Sequence, residues 1–322
     1  MRTLRQLAPI GIIVLGWLLW SAAPGSAAYP GTNGRVAFSA NLYGRSWQVY
    51  TMNPDGTDVL QLTDIRGSRE TNQAVDWAPK GRRLALESDF TGEPELYTVR
   101  ADGTGFRRVF DDPRHLDLFP TWSPDGSKLL FGRSSNRTGN LGLFTIRPNG
   151  SELTRITGAR IDHAGAQYTP DSTSIVFDGS GDGVIAALYR IDADGSNQAQ
   201  LTPTEMRAGI PDISPDGTHV VFYTGQNGPN PNSIWTMRID GTQLTQLTDA
   251  GCCFHDTHPK YSPDGTQIVF DTDRSYVREC CVEVWLMNAD GSAVTQVTSS
   301  LGKCPEEEIG DCGNPDWGPA PA

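Results

Sequence analysis

The sequence predicts an all-β fold, a six-bladed β-propeller of four-stranded antiparallel blades, and three observations lead to that prediction. A turn motif related to SPDG recurs after an aromatic or aliphatic residue, a second turn related to DGT recurs within each interval, and the segments between the turns have the composition of short strands. No helical periodicity separates them. Repeats of about 45 residues with four strands each are typical of propeller blades.

The two turns give the number of blades. The residue before the first turn is Trp77, Trp122, Tyr168, Ile213, Tyr261 or Trp317, at intervals of 45 to 56 residues. The second turn also occurs six times, from "NPDGT" near residue 53 to "NADGS" near residue 288. Both series therefore predict six units. Tight turns require Pro, Asp and Gly for backbone reasons, so the repeated aspartates are predicted to be turn residues.

The third unit shows the order of the elements within a blade. "DLFPTW" has the pattern of a first strand, and "SPDG" suits a type I turn in which Pro124 presets φ. "KLLFG" and "LGLFTIR" then predict a second and a third strand. The tight turn "PNG" follows, and "ELTRIT" predicts the fourth strand.

The two ends of the chain predict how the ring closes. After residue 28 the chain begins with "GRVAFSA", which matches a second strand, and it finishes with "NPDWGP", which matches a first strand. The C-terminal strand is therefore expected to complete the N-terminal blade and to satisfy both sheet edges. The sequence therefore predicts a signal peptide over residues 1–28 and a single propeller over residues 29–322.

The repeated pattern resembles that of a known family. The repeats have the same order of features, related to "WSPDG", a strand that ends in Phe, "ELY", "DGS" and "LT". This order resembles that of the WD40-like repeats of TolB-type propellers. The resemblance covers nearly the whole chain after residue 28 and implies the fold, whereas it implies no single function, because this propeller serves many. The sequence leaves no room for the separate α/β domain that precedes the propeller in bacterial TolB, so a Tol-Pal role is not expected.

Residues 1–28 have the features of a secretory signal peptide. Arg2 and Arg5 precede an apolar run from Pro9 to Trp20, and "SAAPGSAA" supplies the small residues of a cleavage site. The run has about 12 residues, fewer than the roughly 20 that cross a bilayer. Cleavage would remove two of 26 basic residues and none of 38 acidic ones, so the net charge would change from −12 to −14. A secreted or periplasmic protein that avoids nucleic acid and anionic lipid is expected.

All cysteines lie in the last quarter of the chain, at Cys252, Cys253, Cys280, Cys281, Cys304 and Cys312. An even number in an exported chain predicts disulfides. Cys304 and Cys312 are expected to form a local bridge. The pair at 252 and 253 is expected to join the pair at 280 and 281, in a combination that the sequence leaves open.

Ionisable residues occur where the first strands begin. These entrances carry Glu70, His115, Asp117, Asp162, His163, Arg207, His255, Asp256 and Asp311, with His258 close by. Because the hairpin turns share one face of a propeller, the entrances lie on the other face, near the mouth of the central channel. The sequence predicts a ligand pocket there. It leaves open a metal site, acid–base catalysis and a merely solvated rim.

The predicted function is that of an exported, non-enzymatic and monomeric binding module. Its partner would be another extracytoplasmic protein or a component of the cell envelope, and no cofactor is expected. The alternative is a secreted hydrolase or lyase that acts on a saccharide or peptide at the channel mouth. Its candidate residues are His115, His163, Arg207 and His255, residue types that oligogalacturonate lyases, which resemble this propeller class, also use.

Overall fold

The computed structural model contains six antiparallel sheets arranged as the blades of a propeller. It describes residues 30–41, 46–64, 72–135, 142–157, 161–162, 165–181, 186–225, 232–249, 254–274, 283–298 and 312–321. The prediction of an all-β, six-bladed propeller is confirmed.

Blades 1 to 3 each contain four strands. Blade 1 consists of β1 (Asn33–Ala40), β2 (Gln48–Met52), β3 (Leu60–Gln61) and the C-terminal strand β25 (Cys312–Pro319). Blade 2 consists of β4 (Asn72–Trp77), β5 (Arg83–Ser88), β6 (Glu95–Arg100) and β7 (Arg107–Arg108). Blade 3 consists of β8 (His115–Trp122), β9 (Leu129–Ser135), β10 (Gly142–Ile146) and β11 (Thr154–Arg155).

Blade 4 differs from the others because its first strand is divided. It consists of β12 (Ile161–Asp162), β13 (Ala166–Tyr168), β14 (Ser174–Gly181), β15 (Ala186–Asp192) and β16 (Ala199–Gln200). A 3₁₀ turn, Thr204–Met206, then precedes blade 5, which consists of β17 (Ala208–Ile213), β18 (His219–Thr224), β19 (Ile234–Arg238) and β20 (Thr245–Gln246). Blade 6 consists of β21 (Asp256–Tyr261), β22 (Gln267–Thr272), β23 (Glu283–Asn288) and β24 (Thr295–Gln296).

The C-terminal strand closes the ring, as the sequence predicts. β25 pairs antiparallel with β1, and Val36 lies opposite Trp317. The closing strand also packs tightly against blade 2, because a Cβ atom at Gly318 would lie 2.3 Å from Cγ of Trp77. This close approach explains a glycine at position 318.

Equivalent residues of the six second strands form the core between blades. They are fully buried and comprise Phe38, Leu86, Phe131, Phe177, Phe222 and Phe270. Alternation along each strand directs these side chains to one face of the sheet. The third-strand residues Trp235 and Trp285 pack against two of these clusters and are partly buried.

The repeated second turn is held by its own side chains. In all six copies, an Asp or Asn oxygen accepts hydrogen bonds from the backbone N–H and the hydroxyl of the Ser or Thr two residues later. Hydrogen bonds from Thr57 to Asp55 hold the pKa of that exposed carboxyl below its ordinary value. The repeated aspartates are therefore turn residues, as predicted.

The repeated "LT" at the end of each unit has a structural role too. The hydroxyl oxygens of five equivalent threonines accept hydrogen bonds from the N–H at the start of the third strand; these are Thr63, Thr157, Thr202, Thr248 and Thr298. Each bond ties the short outer strand to its neighbour.

Within the described ranges, no helix is both long enough and apolar enough to cross a bilayer.

Candidate functional site

Several residues singled out by the sequence lie outside the described part of the chain. They are the signal peptide, Glu70, His163, Asp311 and five of the cysteines, at 252, 253, 280, 281 and 304. The backbone of Asp162 is described in β12 and that of Cys312 in β25, whereas their side chains are not described. The signal peptide and the disulfides therefore stay predictions.

His115 and Asp117 belong to one polar network at the start of β8. The buried carboxylate of Asp117 accepts hydrogen bonds from Nε and Nη2 of Arg133, at 2.7 and 3.0 Å. Nδ1 of His115 lies 2.9 Å from Oδ2 of Asp112. Burial raises the pKa of Asp117, although Arg133 opposes the change. The network joins β8 to β9 within blade 3.

His255 and Asp256 form a comparable network in blade 6. The fully buried Asp256 accepts hydrogen bonds from Oγ1 of Thr272 at 2.7 Å and from Nε of Arg274 at 2.8 Å. Nδ1 of the exposed His255 lies 2.7 Å from Oδ2 of Asp273. These side chains also pair within their own blade.

The described contacts of Arg207 are made by its backbone atoms. It ends the 3₁₀ turn with a left-handed conformation, at φ 49° and ψ 42°. Its carbonyl oxygen accepts a hydrogen bond of 2.8 Å from the N–H of Gly225. These contacts bring the chain into β17, and no described contact joins Arg207 to the histidines of the other entrances.

Among the residues predicted to form a ligand site, His258 is the one whose described side chain reaches the central channel. It borders a cavity of about 50 Å³ on the propeller axis, to which all six first strands contribute. One lining residue from each of blades 1 to 6 is, in order, Asn314, Val75, Phe119, Gly165, Ile210 and His258. A cavity of this size holds a few water molecules or the end of one small side chain.

Irregular backbone brings these residues to the cavity. β8, β17 and β21 each shift register against the second strand of their blade at this level. The residues within the bulges, Phe119, Ile210 and His258, have φ of 53°, 48° and 49°, and Asn314 in β25 has φ of 51°. A left-handed backbone is uncommon for a residue other than Gly and is an outlier for β-branched Ile210. Such strain persists only where surrounding contacts fix it.

Carboxylates of the second strands supply those contacts. Glu87 in β5 accepts a hydrogen bond of 2.9 Å from the N–H of Phe119. Asp178 in β14 accepts a hydrogen bond of 2.8 Å from the N–H of Ile210. Asp271 in β22 accepts one of 2.9 Å from the N–H of Asn314. Each bond runs from one blade to the next. Burial raises the pKa of Glu87 to about 7.

The ring of His258 is held in place by Asp271. Nδ1 lies 2.9 Å from Oδ2 of Asp271, and the hydroxyl of Thr257 donates to Oδ1 of the same carboxylate. Burial would raise the pKa of Asp271, but the charge of His258 and these hydrogen bonds hold it below its ordinary value. The ring of Tyr223 lies 6.5 Å from that of His258, centroid to centroid. With Nδ1 engaged, Nε2 is the atom that His258 offers to a ligand.

A second ring of polar side chains surrounds the channel one step further along the first strands. It contains the residue before each repeated aromatic or aliphatic position: Asp316, Asp76, Thr121, Gln167, Asp212 and Lys260 in blades 1 to 6. Three of its carboxylates accept a hydrogen bond of 2.7 or 2.8 Å from a backbone N–H of the next blade. The ring thus joins blades 1 to 2, 2 to 3 and 5 to 6.

Lys260 is the cation of this ring. Its Nζ lies 3.6 Å from Oδ1 of Asp212. Burial would lower the pKa of Lys260, but Asp212, Asp316 and Asp76 together raise it. Burial and the neighbouring Asp316 raise the pKa of Asp76 well above its ordinary value, and burial raises that of Asp316 to about 6. Close carboxyls from different blades therefore bind protons more readily here than in water.

The second ring escaped the sequence analysis, although a signal for it existed. The predicted entrance residues lie five to seven residues before each repeated aromatic or aliphatic position, whereas the second ring lies one residue before it. A charged residue next to a buried aromatic, as in "DW" at Trp77 and "KY" at Tyr261, marks the position. Within the described ranges, no group of three or more His, Cys, Asp or Glu side chains has the arrangement of a metal site.

The fold and the axial cavity define a six-bladed propeller with a potential binding site where the blades meet. Comparison with family models identifies residues 111–303 as a TolB beta propeller domain (PD40). The match covers more than half of the chain, which therefore belongs to this family.

Three similar proteins illustrate how widely the fold is used. "Uncharacterized protein Atu1656" of Agrobacterium fabrum is 28% identical over 267 residues, which are 78% of this chain and 82% of that protein. The structure of TolB from Acinetobacter baumannii has a TM-score of 0.72 at 22% identity, covering 89% of this chain and 67% of that one. An oligogalacturonate lyase in complex with manganese has a TM-score of 0.59 at 17% identity, covering 84% and 77%. The structural likenesses show the fold alone.

Proposed function

We propose that the chain is an exported, non-enzymatic binding module that holds a short segment of a partner at its central channel. The observation that carries the proposal is the axial cavity, to which every blade contributes. Phe119, Ile210, His258 and Asn314 surround it in a left-handed backbone conformation. Hydrogen bonds from neighbouring blades fix this strained backbone, and strain held in this way is common at binding sites, which supports a role for the shared cavity.

The partner in this proposal is another extracytoplasmic protein or a component of the cell envelope. Apolar Phe119 and Ile210 border the cavity together with His258 and Lys260, which can donate hydrogen bonds. A peptide segment can satisfy both, because its side chain fills an apolar space and its backbone carbonyl accepts from a donor. Membership of the TolB propeller family and the predicted signal peptide support a partner outside the cytoplasm.

The size of the cavity favours a narrow segment over a bulky ligand. Its volume is about 50 Å³. Pockets that enclose a drug-sized molecule are about 300 to 1,000 Å³. A single small side chain fits the axial cavity, with the remainder of the partner held outside it.

Co-purification from the native envelope tests this proposal. Tagged wild-type protein is compared with Phe119→Ala and His258→Ala, which change the cavity, and with Leu244→Ala, an exposed residue just before the outer strand β20. Loss of one well-packed contact lowers affinity about tenfold. The two cavity variants should therefore recover about tenfold less partner than the wild type, whereas Leu244→Ala should recover the same amount. Equal recovery by all four folded proteins would refute the proposal.

A second candidate function is that of a hydrolase or lyase acting on a saccharide or peptide at the channel. The His258–Asp271 pair favours it, because a histidine whose Nδ1 is held by a carboxylate can transfer a proton through Nε2. A turnover screen with pectic and other glycans and with peptides separates the two functions. Product formed by the wild type and lost in His258→Ala would favour the enzyme, and a screen without turnover would favour binding.

A further inference from the structure

The second ring of polar side chains around the channel contains more acidic than basic groups. Its members in blades 1 to 6 are Asp316, Asp76, Thr121, Gln167, Asp212 and Lys260. When all of its charged groups are ionised, the ring therefore has three negative charges and one positive charge. Charges that are taken out of water are stable only when they are paired. The ring thus supplies fewer cations than its carboxylates can bind.

Lys260 forms an ion pair with one of the three carboxylates. Its Nζ lies 3.6 Å from Oδ1 of Asp212, which also accepts a hydrogen bond of 2.9 Å from Nε2 of Gln167. The charge of Lys260 also acts on Asp76 and Asp316 over a greater distance. Among the described residues, no cationic group lies within ion-pair distance of these two carboxylates.

One carboxylate oxygen of Asp76 has no hydrogen-bond partner in the described part of the chain. Oδ2 accepts a hydrogen bond of 2.7 Å from the N–H of Trp122, whereas Oδ1 is buried and unpaired. The residue is only 2% exposed. Asp76 interacts electrostatically with charged groups of blades 1, 5 and 6, so its carboxylate lies where the blades meet. An unpaired buried oxygen is costly, and this one marks a place for a donor from outside the chain.

The axial cavity ends at this ring. Thr121 and Lys260 belong both to the ring and to the lining of the cavity. On the side of the strand entrances, the lining includes the apolar residues Val75, Phe119, Pro120, Ala166, Ile210 and Pro211. A side chain that enters from the entrances therefore passes apolar walls before it reaches the carboxylates. Lysine matches this order, because it buries a flexible apolar stem and carries an ammonium group at its end.

We propose that the partner segment inserts the end of a lysine side chain into the axial cavity, where its ammonium group binds Oδ1 of Asp76 and the carboxylate of Asp316. This inference rests on the proposed channel function and names the chemistry of the segment. Arginine fits less well, because its planar guanidinium is broader than an ammonium and the cavity is only about 50 Å³. Lys260 does not exclude a second cation, since the ionised ring keeps an excess of negative charge over it.

A proton competes with the ammonium group for these carboxylates. Burial and the neighbouring Asp316 raise the pKa of Asp76 well above its ordinary value, and burial raises that of Asp316 to about 6. At low pH the protonated carboxyls are neutral and attract an ammonium group weakly. As the pH rises they ionise, whereas a lysine with a pKa of about 10.4 stays charged. Binding of the lysine should therefore strengthen as the pH rises from about 6 to about 8.

Ligand-observed NMR titrations of the full chain with short peptides test this inference. The probe is acetyl-Gly-Ser-Lys-Ser-Gly-amide, and matched peptides carry Arg, Gln or norleucine in place of Lys. At about pH 8 the Lys peptide should bind about tenfold more tightly than the other three, because only its ammonium group both fits the cavity and reaches the ring. Its affinity for the wild type should fall about tenfold between pH 8 and pH 6, as the carboxyls take up protons.

Asp76→Asn tests the carboxylate itself, since the variant keeps an oxygen that can accept the N–H of Trp122. At about pH 8 it should bind the Lys peptide about tenfold more weakly than the wild type, and its affinity should change less between pH 6 and pH 8. Glu93→Gln is the charge-matched control, because it removes one negative charge from an exposed position of the same blade. This control should bind like the wild type at both pH values.

Four results would overturn the lysine site. They are no binding of the Lys peptide by the wild type, equal binding of a matched peptide, unchanged binding by folded Asp76→Asn, and a pH effect that persists in this variant and so belongs to Glu87 or His258. A Gln peptide with a free amino terminus forms a separate arm. If it binds as tightly as the Lys peptide, the site takes a chain terminus and not a lysine. The peptide comparison uses wild-type protein, so it decides the matter even if Asp76→Asn does not fold.

Recovery of the native partner separates this inference from the channel function. If Phe119→Ala and His258→Ala lose the partner while Asp76→Asn retains it, the partner binds the cavity without a lysine contact, and this inference alone fails. If the cavity variants recover as much partner as the wild type, the channel function itself fails. Loss of the partner in all three folded variants, together with binding of the Lys peptide, would support both.

Discussion

Glu87 should make the propeller less stable as the pH rises from about 5 to 8. Its carboxylate fixes the Phe119 bulge by accepting the backbone N–H, and burial raises its pKa from the ordinary 4.5 to about 7. The folded protein therefore holds a proton that the unfolded chain releases at lower pH. The stabilisation is complete below pH 4.5 and is lost as the pH rises through about 7.

The size of this effect follows from the two pKa values. A rise from 4.5 to about 7, at 1.36 kcal/mol per pH unit, corresponds to about 3 kcal/mol. Because Glu87 is partly exposed, solvent reduces the effect, and about 2 kcal/mol is expected. Glu87→Gln keeps an oxygen that can accept the N–H of Phe119 but does not titrate. The variant should therefore gain about 2 kcal/mol relative to the wild type between pH 5 and pH 8.

Urea unfolding followed by tryptophan fluorescence, at pH values from 5 to 8, measures this difference. Glu93→Gln serves as the control, because Glu93 is an exposed residue of the same blade. Its free energy of unfolding should follow the pH profile of the wild type. Parallel profiles for wild type and Glu87→Gln would show that the carboxyl of Glu87 is not buried against the bulge, and would refute the reasoning.

Other predictions concern ring closure, the channel and the cysteines. Asp212→Ala removes the nearest carboxylate of Lys260 and should lower the free energy of unfolding by about 3 to 5 kcal/mol, measured in urea; a smaller loss in Asp212→Asn than in Asp212→Ala would show how much its hydrogen bonds contribute. Gly318→Ala places a methyl group against Trp77 and should cost about 1 to 3 kcal/mol by the same assay, so an unchanged value would contradict the close packing of β25. Mass mapping of the exported protein should find its cysteines in disulfides, and six free thiols would contradict both the bridges and the export prediction.

Much of the fold could be predicted because each blade repeats local chemistry. The Asp102–Thr104 turn and the Thr63 contact to the third strand depend on residues a few positions apart or in adjacent strands. Six copies of such patterns identify the strands and their order. The closing strand could also be predicted, since "GRVAFSA" and "NPDWGP" are the two missing parts of one blade.

The candidate site was less predictable, because entrance position alone does not bring side chains together. Asp117 forms an ion pair with Arg133 of its own second strand, and Asp256 forms one with Arg274, two residues after the end of its own second strand; these pairs stabilise the strand starts. The sequence contains these charged residues but does not show which of them pair. His258 differs because a bulge turns its residue towards the axis. Its left-handed backbone precedes Pro259, but a residue before Pro is ordinarily extended, so the sequence does not predict this conformation.

The sequence by itself determined the number of blades, the tight turns and the closure of the ring, because turn chemistry and alternating burial are local properties that every repeat expresses again. The tertiary structure decided which polar residues share the channel. Asp316, Asp76, Asp212 and Lys260 are up to 240 residues apart, yet they interact because the blades converge on one axis. The pKa values of these groups depend on burial and on neighbours from other blades, so they arise only when the ring is closed.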